Sequence, residues 1–97
     1  MGERKITILE PAVQAVAQVS FFIEGQGLSK TAKKFVDEAF AFFDTLGESI
    51  VRYRPCRFAP WQELNYRCAV FKKYTVAYLE LSDEVIICEF VASKMLK

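Results

Sequence analysis

The last third of the chain constrains the fold most, because it holds three apolar segments separated by very short connections. Within residues 66–92, two apolar runs are joined by Lys72 and Lys73, and a third run follows Ser82, Asp83 and Glu84. Connections of this length allow only tight turns between neighbouring antiparallel strands. The pattern therefore predicts a three-stranded antiparallel meander.

Alternation along the meander places apolar side chains on both of its faces. In its first strand, Tyr66, Cys68 and Val70 share one face, and Ala69 and Phe71 share the other. One face can pack against helices. The other face must be covered by a loop, by oligomerisation or by a bound partner.

The first half of the chain supplies a short strand and two helices. Residues 5–9 alternate polar and β-branched side chains, which predicts a strand. Pro11 suits the first turn of a helix that runs to about Glu24, and a second helix extends from near Ser29 to just before Gly47. The spacing of apolar residues gives the first helix the core stripe Val13, Val16, Ala17, Ser20 and Ile23. The second helix has an unbroken stripe of Ala32, Phe35, Val36, Ala39, Phe42, Phe43 and Leu46.

These elements predict an α+β fold in one domain over residues 1–97. An N-terminal strand and an antiparallel two-helix hairpin pack on an antiparallel sheet that ends in the meander. Ninety-seven residues, 53% of them hydrophobic, suffice for one core and are too few for two. No apolar run approaches the roughly 20 residues of a membrane span, and the first residues lack the apolar segment of a secretory signal. We therefore expect a cytoplasmic protein without membrane contact.

Cysteine and histidine usage excludes several kinds of chemistry. The chain has three cysteines and no histidine, so catalysis by histidine and metal binding by histidine are excluded. Cys56, Cys68 and Cys88 are odd in number and lack CxxC spacing, and the last two lie in apolar strands. This pattern predicts buried thiols in preference to metal ligands or a disulfide. We expect no cofactor and no bound metal.

Positive charge is concentrated in the second half of the chain. Residues 1–49 carry five Lys and Arg against seven Asp and Glu, a net −2, and residues 50–97 carry eight against five, a net +3. This excess permits a small polyanion site without requiring one, since duplex DNA-binding domains show a far larger excess. Residues 50–55 alternate like an edge strand stopped by Pro55, and residues 56–65 predict an irregular loop anchored by Trp61.

The order of the elements and several residues of the meander resemble the RelE/ParE superfamily of bacterial type II toxins, which includes plasmid stabilisation proteins. The resemblance covers nearly the whole chain. It is carried by Tyr66-Arg67, the basic turn before Tyr74, the Tyr74-x-Val76-x-Tyr78 strand and the acidic turn at residues 82–84. It implies a toxin held inactive by a cognate antitoxin protein, whose C-terminal segment folds as it binds.

The superfamily contains two mechanisms, and this sequence bears on the choice between them. RelE-like members are ribonucleases that cleave messenger RNA on the ribosome with basic groups and a general acid–base pair, without a metal ion. The matching candidates here are Arg67, Lys72, Lys73 and Lys94. ParE-like members inhibit DNA gyrase and catalyse no reaction. The nucleases commonly have Arg where this chain has Thr75, which favours the gyrase-like branch. The chain also lacks the His-Gly-x-Arg tail common in that branch, so its target and any enzymatic activity stay open, and a degenerate, non-toxic member is a third alternative.

Each candidate residue also has an ordinary structural explanation. Lysines at a hairpin tip usually form a solvated turn, and Tyr74 and Tyr78 can be packing residues instead of stacking or proton-transfer groups. Arg67 lies among apolar neighbours, so its guanidinium needs a carboxylate or a phosphate. Phe40 lies off its helix stripe, either at the rim of the core or in contact with a partner. Contacts with a partner or target are predicted for Arg52, Arg54, Arg57, Phe40, Tyr74 and Tyr78, with a solvated strand face as the alternative for the arginines. A homodimer through exposed aromatic residues is left open.

Overall fold

Two long helices cover one face of a β-sheet in the computed structural model, which describes residues 4–48 and 53–96. The elements in chain order are β1 (Lys5–Ile8), α1 (Glu10–Gly25), α2 (Ser29–Thr45), α3 (Ala59–Glu63), β2 (Arg67–Phe71), β3 (Tyr74–Glu80), β4 (Glu84–Ala92) and a final 3-10 turn (Ser93–Met95). The predicted α+β class is confirmed, and so is the order strand, helix hairpin and meander. We call the face of the sheet under α1 and α2 the helix-covered face, and the opposite one the far face.

The sheet has the strand order β1-β4-β3-β2, and it is mixed instead of fully antiparallel. β2, β3 and β4 form the predicted meander, with Phe71 opposite Tyr74 across the two-lysine turn. β1 pairs in parallel with β4, which corrects the expected antiparallel sheet. Because β3 occupies one edge of β4, β1 takes the other edge. There Ile6 pairs with Val85 and Ile8 with Ile87, and all four side chains contribute to the same core.

The stripe predicted for α2 is confirmed. Phe35 and Phe43 are buried against Phe90 of β4, with ring centroids 6.3 and 6.0 Å apart respectively. The end of α2 lies directly on β1, because a Cβ on Gly47 would come within 2.8 Å of the carbonyl oxygen of Arg4. Only glycine fits this approach without a shift of the backbone.

The stripe predicted for α1 is partly wrong. The buried residues of α1 are Ala12, which was not in the predicted stripe, and Val16, which was; Val13 of the stripe is exposed. Phe21 and Phe22 are 71% and 69% exposed near the end of the helix. Apolar residues occur on most sides of α1, so their spacing alone does not identify the side that packs on β4.

The far face is covered by the segment that runs from residue 53 to β2, together with residues 93–96. The edge strand predicted for residues 50–55 is not formed at residues 53–55, where Pro55 makes a single bridge to Arg67; residues 50–52 lie outside the described part of the chain. The irregular loop predicted for residues 56–65 contains the short helix α3, and Pro60 lies in the first turn of this helix. Trp61 is buried and packs edge-on against Phe58, which confirms it as the anchor.

The cysteines correct a second prediction, because Cys56 and Cys68 form a disulfide. The turn at α3 brings their segments side by side. The Cys56 N–H donates to the Tyr66 carbonyl at 3.0 Å, the Cys68 N–H donates to the Arg54 carbonyl at 3.1 Å, and the two cysteine Cα atoms lie 4.9 Å apart. The third cysteine, Cys88, is a buried thiol as predicted, and burial raises its pKa.

Candidate binding surface on the far face

The tip of the β2–β3 hairpin and the end of β4 enclose a groove of about 640 Å³. It brings together three of the four residues predicted for the nuclease mechanism. We call it the lysine groove, and its lining residues are Val70, Lys72, Lys73, Tyr74, Ala92, Ser93 and Lys94.

Local backbone geometry positions the lysines of this groove. Lys72 has φ of 55°, a left-handed conformation that closes the two-residue turn. Its Nζ lies 2.9 Å from Oε1 of Glu38 on α2, and this hydrogen bond lowers the pKa of the Glu38 carboxyl. The Ser93 N–H donates to the Lys73 carbonyl at 2.9 Å, which fixes the final 3-10 turn and Lys94 beside the hairpin.

A second groove of about 400 Å³ lies on the far face, next to the lysine groove. We call it the arginine groove. It contains Arg54 and Arg57, both exposed, above an apolar floor. Its lining residues are Arg54, Pro55, Arg57, Phe58, Cys68, Val70, Thr75 and Leu96. Val70 lines both grooves, so the two form adjoining parts of one surface.

Thr75 lines the arginine groove and is the cross-strand partner of Val70, which lines both grooves. Thr75 is buried, and its Oγ1 is 2.7 Å from Oγ of Ser93. This hydrogen bond ties β3 to the final turn, so Thr75 supports the surface.

The fourth nuclease candidate, Arg67, lies at the other end of the meander. Its Nε is 3.0 Å from Oε1 of Glu80, and Nη1 donates to the Tyr53 carbonyl. The other oxygen of Glu80 accepts from Nη1 of Arg4 at 2.7 Å, and the side chains of Arg4 and Glu80 are each only 11% exposed. The partner that Arg67 requires is therefore a carboxylate of the same chain, and Arg67 lines neither groove.

The aromatic candidates have different environments. Tyr78 is 1% exposed, and burial raises its pKa to about 12, which places it in the core as a packing residue. Tyr74 is half-buried, stacks on Phe90 with ring centroids 5.0 Å apart, and also lines the lysine groove. Phe40 is half-buried and packs edge-on against Phe43, as expected for the rim of the core.

Of the three arginines predicted to contact a partner, Arg54 and Arg57 meet in one groove, and Arg52 lies outside the described residues. Sequence reasoning missed Val70, Ser93 and Leu96 as members of the surface. For Val70 a signal was present, since alternation placed it on one face with Tyr66 and Cys68, although it did not show which face the helices cover. For Ser93 and Leu96 there was none, because the path of the final turn depends on long-range contacts.

The surface is cationic and has no acidic lining in the described ranges. Among the residues that the structure describes, no carboxylate side chain lines either groove. Lys72 pairs with Glu38, whereas Arg54, Arg57, Lys73 and Lys94 form no ion pair with any described residue. Four cations without a described ion-pair partner, next to apolar lining residues, suit the binding of an anionic group that also carries apolar surface.

A scan against protein-family models finds no match to this chain, and a search of curated proteins finds no similar sequence. Among the described residues, no helix is long and apolar enough to cross a membrane. The same residues contain no group of three or more acidic or cysteine side chains placed to hold a metal ion.

Proposed function

We propose that this chain is the toxin component of a RelE/ParE-type toxin–antitoxin module. In this proposal it binds a cognate antitoxin protein and poisons a gyrase-like target in the cytoplasm by binding, without catalysing a reaction. The observation that carries the proposal is the joined pair of cationic grooves, one on the far face and one at the hairpin end of the sheet, whose described lining residues include no carboxylate. The element order and the meander support the same family.

Two further contacts favour binding over catalysis. Arg67 is engaged by Glu80 and by a backbone carbonyl, so its guanidinium already has partners. Thr75 stands at the position where the nucleases commonly have Arg. It is buried, and its hydroxyl forms a hydrogen bond with the hydroxyl of Ser93. Both side chains therefore already have polar partners within the chain.

A ribosome-dependent messenger RNA endoribonuclease is the second candidate function. One specific observation favours it, namely that Lys72, Lys73 and Lys94 meet beside the hydroxyl-bearing ring of Tyr74. Lysines can hold the scissile phosphate while the ribose 2′-OH attacks it, but that reaction also needs a general acid and a general base. In this candidate Tyr74 is the side chain placed to exchange a proton.

Expression of the chain alone in bacteria distinguishes these functions. Growth, DNA breaks attributable to gyrase and the 5′ ends of messenger RNA are measured after induction. The proposal predicts growth arrest with gyrase-linked breaks and intact messages, and relief of the arrest by the protein of an adjacent small reading frame. Cuts within ribosome-bound messages would establish the nuclease instead.

A charge-matched pair of variants sharpens this experiment. Lys73→Glu with Lys94→Glu should abolish the growth arrest, because both residues line the lysine groove. Lys30→Glu with Lys33→Glu makes the same charge change at exposed positions that line neither groove and should leave the arrest intact. Absence of any growth defect in the unmodified chain would favour the degenerate, non-toxic alternative.

A further inference from the structure

An exposed aliphatic side chain lies where the arginine groove and the lysine groove meet. Val70 is 65% exposed although it lies within a β-strand, and it is the residue that the two grooves share. Leu96 and Pro55 extend this apolar strip in the arginine groove. One or two apolar side chains of a bound molecule can pack on this strip.

The charges around this strip specify the remainder of the ligand. Arg54 and Arg57 flank it on one side, and Lys73 and Lys94 lie on the other side in the lysine groove. None of the four forms an ion pair with a described carboxylate. Arginine forms bidentate hydrogen bonds with carboxylates as readily as with phosphates, so charge alone permits an acidic peptide or a nucleic acid.

The residues that line the two grooves favour a peptide over a nucleic acid as the ligand. Single-stranded nucleic acids bind by stacking their bases on exposed aromatic rings. The arginine groove is lined by the aliphatic residues Val70, Leu96 and Pro55. The aromatic residues described in the two linings are Phe58, which is half-buried edge-on against Trp61, and Tyr74, which is half-buried and stacked on Phe90. Branched aliphatic side chains pack better against the leucine or valine of a peptide than against the flat face of a base.

We propose that the joined grooves bind an acidic, amphipathic segment of a partner protein in an extended conformation. Its apolar side chains contact Val70 and Leu96, and its carboxylates pair with Arg54 and Arg57 and, further along, with Lys73 and Lys94. This inference rests on the proposed function, in which that segment belongs to the antitoxin. A segment of about ten residues spans roughly 33 Å when extended, so it can follow both grooves across one side of the molecule.

The test measures binding of fluorescent synthetic probes to the full chain by anisotropy. The first probe is a peptide of about ten residues that alternates glutamate and leucine. Matched probes replace its leucines with serine or its glutamates with lysine, and an oligouridine of the same net charge represents nucleic acid. We expect the glutamate–leucine peptide to bind at least about tenfold more tightly than each of the other three probes, since it alone satisfies both the charges and the apolar strip.

Two groove variants and one control locate the binding site. Arg54→Glu with Arg57→Glu should weaken binding of the glutamate–leucine peptide about tenfold or more, and Val70→Ser should weaken it by about three- to tenfold. Lys30→Glu with Lys33→Glu should change binding less than about twofold, because the charge change is the same but lies outside the grooves. The substituted residues are exposed, and unchanged thermal unfolding verifies that each variant is folded.

Several outcomes would overturn the proposal. These are tighter binding of oligouridine, equal binding of the serine-substituted peptide, equal losses in the groove and control variants, or a dimer of the chain that closes the grooves. The result is independent of toxicity. If the chain binds the peptide but is not toxic, the proposed binding site stands and the proposed toxin function is rejected. If the chain is toxic but does not bind the peptide, the toxin function stands and the binding site is rejected.

Discussion

The two faces of the sheet are built in different ways. The helix-covered face packs against two regular helices, and its core contains interlocked rings such as Phe35, Phe43 and Phe90. The far face is covered by a short helix, a disulfide and the final turn, which pack on the smaller cluster around Trp61. Stability therefore depends chiefly on the first face, whereas the arginine groove lies on the second and the lysine groove lies at its border.

This difference separates the residues that maintain the fold from those available for binding. The two helices bury Val16, Phe35 and Phe43 against the sheet, although α1 leaves Phe21 and Phe22 exposed near its end. An irregular cover leaves gaps at its borders, and both grooves occur where it meets the sheet edge and the chain end. Binding sites commonly occur on such irregular segments when a rigid scaffold supports them.

The largest expected effect is on the helix-covered face. Phe43→Ala should lower the free energy of unfolding by about 3 to 5 kcal/mol, because it removes a fully buried ring from the aromatic cluster. Phe22→Ala removes the same ring from an exposed position and should change it by less than about 0.5 kcal/mol. Urea denaturation measures both. Similar losses in the two variants would contradict the assignment of α1 and α2 faces.

The disulfide is the corresponding test of the far face. Cys56→Ala with Cys68→Ala should lower the free energy of unfolding by about 3 kcal/mol, because the bond closes a loop across 12 positions. Treatment of the unmodified chain with a thiol reductant should produce a similar loss and should leave the double variant unchanged. A reductant effect in the double variant, which retains only Cys88, would contradict this pairing.

Alkaline pH tests the burial of Tyr78. Burial raises its pKa from 10.0 to about 12, so the folded chain holds the phenolic proton more tightly than the unfolded chain does. The resulting stabilisation is complete below pH 10 and is lost as the pH rises toward 12, a loss of at most about 3 kcal/mol. Unfolding free energies measured across this range should fall less steeply for Tyr78→Phe. The slope should not vanish, because burial also raises the pKa of Tyr66.

The ion pairs at the sheet end should have a smaller effect. Glu80→Gln should lower the free energy of unfolding by about 2 kcal/mol, because it leaves the guanidinium groups of Arg4 and Arg67 without their shared carboxylate. Glu38→Gln removes a carboxylate from the exposed pair with Lys72 and should have a much smaller effect. Urea denaturation measures both variants. Equal losses of unfolding free energy would show that the ion pairs of Glu80 stabilise the fold no more than an exposed ion pair does.

The sequence predicted the parts of the molecule that follow local periodicity. The α2 stripe and the meander were predictable, because spacing along a helix or strand determines which side chains share a face. The parallel pairing of β1, the buried side of α1 and the Cys56–Cys68 disulfide depend on contacts between distant segments. Local patterns do not specify such contacts.

The candidate site was predictable only in part, for the same reason. Arg54, Arg57, Lys72, Lys73 and Lys94 were identified as charged candidates. Their division into two joined grooves, and the exclusion of Arg67, follow from long-range packing. The pairing of Arg67 with Glu80 joins residues on neighbouring strands, and no turn or motif marked it.

The central claim is that the far face binds the partner and the helix-covered face maintains the fold. Amide hydrogen exchange of the chain alone, and in complex with the protein of its adjacent reading frame, tests this claim most directly. We predict that the complex slows exchange at residues 53–58, 69–75 and 92–96 and leaves α1 and α2 unchanged. Protection confined to α1 and α2, with the two grooves unaffected, would contradict it.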